Sequence, residues 1–268
     1  MRFSKDKGAA SPLKGRALIT GGTSGIGRAF ADALAARGLD LVLVARSSER
    51  LESTRNAIES QYGVACEVLA ADLSEADGVA AVSERLDSDS SPIEVFVNNA
   101  GQGFYGTLAS RDFEPMSAAI DLMATTVVKL GGAAAQTMQR RGHGVIVNTC
   151  SISALVPMGL YSGIKALVKT WSLSLAIEVA GAGVQVVAFM PGWVHTEFHK
   201  RAGVERSNLP GFMWLEADRV VHDCLAAVDR GKVYSVPSKR FKVIAALAEH
   251  APKKAVWAVT AKINKGRN

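Results

Sequence analysis

Cysteine is scarce in this chain: 268 residues carry three, Cys66, Cys150 and Cys224. An odd number so widely spaced supports neither a disulfide framework nor a metal-ligand cluster, and it leads to the expectation of a reducing, cytoplasmic setting. Small buried hydrophobe is the role expected of all three. No run reaches the roughly 18 consecutive apolar residues that a membrane-spanning helix needs. The opening stretch MRFSKDKGAASPLKGR is basic and lacks the apolar core of a secretory signal, so 1–13 read as a loose lead-in. No internal repeat, low-complexity tract or linker marks a second domain. Acidic charge is nearly missing from one end: between Lys239 and Asn268 only Glu249 stands against eight basic residues, a balance of +7. The whole chain carries +6, which leaves −1 for residues 1–238. The basic character therefore belongs to a tail, and the body gives no reason to expect nucleic-acid binding.

What is present is an alternation. With 48% hydrophobic residues the chain can bury a sizeable core. Short apolar runs at Arg16 to Thr20, Leu41 to Ala45, Glu67 to Ala71, Glu94 to Asn98, Val145 to Thr149 and Val184 to Phe189 read as buried strands. A last short one falls at Lys232 to Val236. Near-continuous β-branched runs suit a parallel sheet covered on both faces. Helix-length segments lie between them, such as Ile26 to Arg37, with Gly38 where a helix end favours glycine, and Ser48 to Gln61. The pattern predicts a doubly wound α/β sheet of about seven parallel strands, with helices on both faces. Arg240 to Lys265 reads as an appended helix or helical hairpin broken near Pro252.

The strongest local feature is Thr20-Gly21-Gly22-Thr23-Ser24-Gly25-Ile26-Gly27, which leaves a strand and opens a helix. Glycines there permit a tight turn and close approach of backbone to a pyrophosphate, and the helix N-terminus offers free N–H groups to the anion. About twenty residues on, the second strand ends in Ala45-Arg46-Ser47-Ser48. A carboxylate at this place would bind the ribose 2′-OH of NAD(H). A guanidinium and hydroxyls instead suit a 2′-phosphate, so NADP(H) is the expected cofactor. Tyr161 and Lys165 are four apart on a predicted helix and share a face. A nearby ammonium favours the phenolate, which fits the pair for proton transfer during hydride transfer to a carbonyl.

Six motifs in order, TGGTSGIG (20–27), Asp72, Asn98-Asn99-Ala100-Gly101, Ser151, Tyr161-Ser162-Gly163-Ile164-Lys165 and Pro191 to Thr196, resemble the single-domain branch of the short-chain dehydrogenase/reductase family. The resemblance covers roughly Lys14 to Val236 and implies a Rossmann-like catalytic body over 14–238, with 239–268 as a basic extension. It implies Tyr161 as general acid in carbonyl reduction, Lys165 as its electrostatic helper and ribose ligand, and Ser151 as holder of the substrate oxygen. The implied cofactor set is Gly21, Thr23, Ser24, Gly25, Ile26 and Gly27 at the turn, Arg46 and Ser47 at the 2′-phosphate, and Asp72 with Leu73 at the adenine. Asn99, Ala100 and Gly101 line the cofactor, Asn98 braces the central strands, and Pro191, Gly192, Val194 and Thr196 cover the nicotinamide. The resemblance also implies pairing of the long helices on either side of Ser151 between subunits, giving a homodimer or homotetramer.

Two departures stand out. Met123 occupies the place where the family has an Asn that helps hold a water, and a thioether cannot replace an amide in a water chain. Ser151 and Tyr161 are 10 apart, a few residues fewer than usual, which shortens one pocket wall and leaves Ser153 as an alternative hydroxyl. The expected activity is interconversion of a ketone or aldehyde with an alcohol, on a lipophilic small molecule. The alternative is a catalytically weak NADP(H)-binding protein acting as a redox sensor or interaction partner. Trp193 to Leu215, with Phe198, Leu209, Phe212, Met213 and Trp214, reads as an apolar lid. His195 and His199 have helical metal-ligand spacing but no third ligand, so no metal is expected. The tail is read as a solvated helix, with peripheral contact to an anionic membrane surface as the other option.

Overall fold

A computed structural model of the protein describes residues 13–104, 106–197 and 210–265. The first half alternates strictly: β1 (Arg16–Thr20), α1 (Gly25–Ala35), β2 (Asp40–Ala45), α2 (Ser48–Tyr62), β3 (Cys66–Ala70), α3 (Ala76–Asp87) and β4 (Val95–Asn98). There follow α4 (Glu114–Ile120), a π-helical turn (Asp121–Thr125), α5 (Thr126–Arg141), β5 (Gly144–Thr149), a 3₁₀ turn (Ile152–Leu155), α6 (Leu160–Glu178) and β6 (Val184–Phe189). The remainder comprises β7 (Trp193–Val194), β8 (Trp214–Leu215), α7 (Ala217–Val228), β9 (Tyr234–Ser235), α8 (Lys239–His250) and α9 (Lys253–Lys265).

Seven strands form one sheet in the order β3-β2-β1-β4-β5-β6-β9, every neighbouring pair parallel. The order reverses between β1 and β4, so the connections run outward in both directions and a crevice opens at the strand C-termini there. Side chains alternate along each strand between two cores. Ala17, Ile19, Leu41, Leu43 and Val97 join the cluster under α1 and α7, where Phe30 meets Phe189 edge-to-face at 5.6 Å. Leu18, Val42, Val44, Phe96 and Ile146 join the opposite cluster with Leu130 and Met138 of α5. Period-two burial on both faces is what the apolar runs dictate.

Helix ends follow local chemistry. Helix α1 stops at Ala35, three residues before Gly38. The Gly38 N–H donates to Ala35 O (2.8 Å) and the Leu39 N–H to Leu34 O (3.2 Å), with Gly38 at φ +81°. Such a reversal needs the left-handed conformation that glycine reaches without penalty. Ser47 caps α2, its hydroxyl accepting from the Arg50 N–H at 3.2 Å.

The run from Glu114 to Arg141 forms one helical stretch of 28 residues, long and apolar enough to cross a membrane by length and composition. Half of its apolar window is buried, and Leu130, Ala134 and Met138 belong to the sheet core, so packing accounts for its apolar face. The π-turn within it is not visible in hydrophobic periodicity. Such a turn carries one extra residue per turn and commonly marks a functional site. The tail is two helices separated at Ala251 and Pro252, in line with the expected break.

Candidate functional site

The crevice at the strand ends is a cavity of about 1210 Å³. One end is lined by Gly21, Thr23, Ser24, Gly25 and Ile26, with Arg46, Ser47, Asp72 and Leu73 beside them. Asn99, Ala100 and Gly101 follow, then Ser151, Tyr161 and Lys165, and then Pro191, Gly192, Val194 and Thr196. Nearly the whole sequence-derived set is thus gathered around one space. Gly27 is the exception and stands behind the wall: a Cβ there would lie 2.1 Å from Gly21 O and 2.7 Å from Asn99 Nδ2. Its missing side chain lets α1 close against the turn.

The turn is fixed from both sides. The N–H groups of Gly21 and Gly22 donate to Val44 O (2.8 and 3.3 Å), which ties it to β2. Thr20 Oγ1 accepts from the N–H groups of Asn99 (2.8 Å) and Ala100 (2.9 Å), while Asn99 Nδ2 donates to Thr20 O (3.0 Å). Thr149 Oγ1 donates to Asn99 Oδ1 at 3.4 Å. The β1, β4 and β5 ends are therefore braced by Thr20 and Asn99. Asn98, expected to do this, instead donates from Nδ2 to Val127 O (2.9 Å) and holds the long helix to β4. Its carboxamide points away from the crevice because successive strand residues face opposite sides.

Arg46 is largely exposed, with its guanidinium 4.0 Å from Asp72 Oδ2. The Asp72 carboxyl is held below the usual carboxylate range, mainly by the Ser74 hydroxyl at 2.6 Å and the Ser74 N–H at 3.0 Å, with Arg46 a lesser contributor. Arg50, in the first turn of α2, also lines this end and reaches Glu197 Oε2 at 3.5 Å.

At the centre, Lys165 is buried and its Nζ donates to Thr149 O at 2.7 Å. Burial lowers its pKa to about 8. The ammonium lies 5.7 Å from the Tyr161 ring centroid, so both side chains do share one face of α6. Ser151 Oγ accepts from the Ser153 N–H at 3.2 Å, which leaves its own proton to donate. Ser153 also lines the cavity, and its buried hydroxyl has no partner among the described residues. Met123 lies in the π-turn, fully buried with Ala119, Ala124 and Ile164, in the cluster that Tyr161 packs against.

At the far end of the cavity the lid expected over Trp193 to Leu215 is described only in part, and of its aromatic residues Trp193 lines the cavity. Phe212, Met213 and Trp214 do not line it, and Phe198, Leu209 and His199 lie outside the described residues. Trp214 pairs with Trp193 across β7 and β8 and stacks on His195 at 4.9 Å. Further apolar lining comes from α8, α9 and Ala251 between them, with Ile244, Leu247, Ala248, Ala255 and Val256 joining Phe104, Leu155, Val156 and Met158. Phe241 anchors α8 against Gly192, where a Cβ would stand 2.4 Å from the ring.

A parallel sheet with this strand order, a glycine turn at its reversal and a Tyr–Lys pair on the following helix define a nucleotide-binding α/β protein with a second, apolar compartment. Residues 15–206 match the family model described as short chain dehydrogenase. The very-long-chain 3-oxoacyl-CoA reductase of Anas platyrhynchos is 34% identical over 193 residues, covering 69% of this chain and 61% of that protein. Gluconate 5-dehydrogenase of Gluconobacter oxydans is 33% identical over 195 residues, covering 69% and 73%. Among solved structures, a short-chain dehydrogenase from Sphingobium yanoikuyae in complex with NADPH superposes with a TM-score of 0.79 at 33% identity, covering 94% of each chain. The bulky-bulky ketone specific alcohol dehydrogenase from Comamonas testosteroni gives 0.76 at 28% identity, covering 96% of this chain and 94% of that one. The chain belongs to the short chain dehydrogenase family. It spans about three fifths of the length of the 3-oxoacyl-CoA reductases it matches.

Proposed function

We propose that the protein is an NADP(H)-dependent oxidoreductase that interconverts a ketone or aldehyde with an alcohol, on a lipophilic substrate. The observation that carries the reading is the position of Tyr161, Lys165 and Ser151. They stand on the wall between a glycine-turn end that fits a dinucleotide and an apolar end built in part by α8 and α9. The residues fit the dinucleotide. A Cβ on Gly21 would stand 3.3 Å from Ala100 Cα, so the bare glycine keeps open the surface a pyrophosphate would approach. Arg46, Ser47 and Arg50 supply two guanidinium groups and a hydroxyl for a 2′-phosphate. The Sphingobium relative, whose structure is in complex with NADPH, supports the same choice.

The cofactor supplies hydride when bound; the chain supplies the proton and the positioning. Ser151 donates to the carbonyl oxygen of the substrate and holds it beside Tyr161. Tyr161 delivers a proton to that oxygen as charge develops on it, and the Lys165 ammonium stabilises the phenolate left behind. Exposed Phe113, just before α4, and exposed Leu167 and Ile177 on α6 support the expectation that copies of the chain pair. The second reading, a cofactor-binding protein with little turnover, is favoured by Met123, whose thioether puts no polar group where a water chain would pass.

The test is NADPH oxidation against short and bulky ketones, with Tyr161→Phe alongside. We expect bulky ketones to be preferred, and kcat/KM to fall roughly a thousandfold in the variant. Equal activity in both proteins would remove the mechanism, and cofactor binding without turnover of any ketone would favour the second reading.

A further inference from the structure

The helices α8 and α9 have two different faces. Toward the body, Ile244, Ala248, Ala251 and Val256 line the cavity at helical spacing. Away from it, Val243 and Trp257 are exposed at 59% and 68%, and Leu247, at the cavity edge, is exposed at 61%. Lys239, Lys242, Lys253 and Lys254 flank these apolar groups and are exposed as well.

The acidic side chain that could balance this charge is turned inward. Glu249 is the single carboxylate side chain between Lys239 and Asn268. It lies 3.6 Å from Lys169 Nζ and accepts from the Tyr234 hydroxyl at 3.4 Å, so it faces α6 and β9. Arg240 is drawn in too, donating to Trp214 O at 3.1 Å. The outer face of the pair is left with lysines around large apolar side chains.

From this arrangement we propose that α8 and α9 form a docking surface for an anionic lipid bilayer. Val243, Leu247 and Trp257 enter the interfacial layer and the lysines meet the headgroup phosphates or carboxylates. A second copy of the chain is a poor occupant, because a two-fold contact would set the same lysines against each other. Docking here places the apolar end of the cavity at the lipid surface. A lipophilic substrate then passes between bilayer and cavity past Leu247. That last consequence rests on the proposed reaction; the docking itself does not.

The experiment is sedimentation of the full chain with vesicles of phosphatidylcholine alone, or with about a third phosphatidylglycerol, at low and high salt, without cofactor or substrate. The wild-type protein pellets with the anionic vesicles at low salt, is released by high salt, and stays in solution with the neutral ones. Replacing Lys242, Lys253 and Lys254 together with Gln lowers the partition about a hundredfold, at about fivefold per charge. Trp257→Ser lowers it about tenfold by removing the largest apolar group on the face. Both variants keep wild-type turnover of a small water-soluble ketone, which separates lost docking from lost folding. Failure of wild-type protein to pellet with anionic vesicles at low salt overturns the proposal, as does equal pelleting of wild type and the lysine variant. Pelleting with neutral vesicles to the same extent overturns the electrostatic part and with it the assigned occupant. Because pelleting is read without turnover, an inactive but vesicle-bound protein would count against the proposed reaction alone.

Discussion

Lys165 is charged in a place that penalises charge. Its pKa of about 8, against 10.5 for the free side chain, means that burial acts against the ammonium while Thr149 O holds it. The sign follows from linkage: a lysine with a lowered folded pKa weakens the fold while protonated, in full below pH 8, and the penalty fades as pH rises toward 10.5. Lys165→Met should therefore abolish turnover yet raise stability at pH 7. The gain should be about 2 kcal/mol, roughly 3 from the removed charge less about 1 for the lost hydrogen bond. Urea unfolding of both proteins at pH 7 and pH 10 checks this, and the gap should narrow at the higher pH. Met123 poses the opposite case. Met123→Asn places an amide in a fully buried apolar cluster and should cost roughly 2 kcal/mol, read by the same method. If kcat nevertheless rises, the thioether limits proton supply. Ser153, by contrast, buries a hydroxyl without a partner among the described residues, so Ser153→Ala should raise stability by about 1 kcal/mol in the same unfolding measurement and leave KM for the carbonyl substrate unchanged.

Among the elements, those set by local periodicity were legible and those set by distant contacts were not. The seven strands follow from β-branched runs that fill both faces of the sheet; β1 and β6 have the expected bounds, and the other five differ by one or two residues because strand ends fray into loops. The glycine turn was legible because a positive φ at Gly21 and contact at Gly27 exclude other side chains. The Tyr161–Lys165 pair was legible because helical spacing alone puts both on one face. The π-turn at Asp121–Thr125 leaves no mark on composition. The Thr20–Asn99 brace joins residues 79 apart, and no local rule reaches that far. Arg50 lies in the first turn of α2, and only the fold brings it to the same end of the cavity as Arg46, which precedes the helix cap. If both hold a 2′-phosphate, Arg46→Ala with Arg50→Ala should raise KM for NADPH about a hundredfold and leave NADH almost untouched. Steady-state kinetics with each cofactor reads that difference directly. In α8, Phe241 is the fully buried anchor beside Gly192. Phe241→Ala should cost about 3 to 5 kcal/mol and loosen the apolar wall, seen as faster amide exchange across 239–250.

For the molecule as a whole, the charge separation noted in the sequence becomes a spatial one. Exposed lysines gather on the outside of α8 and α9, while the glycine-turn end of the cavity is formed by residues from 21 to 197. The nucleotide end thus depends on the part of the chain that matches the family model, while the substrate end takes part of its wall from a stretch that lies beyond it. That division explains why the cofactor could be read from motifs while the substrate could not: a motif is local, and the apolar wall is a contact between distant segments. It also bears on synthesis. As the chain leaves the ribosome, the sheet through β6 and the glycine turn are complete while the final helices are still being made. The glycine-turn end of the cavity is therefore synthesised ahead of the helices that close part of its apolar end.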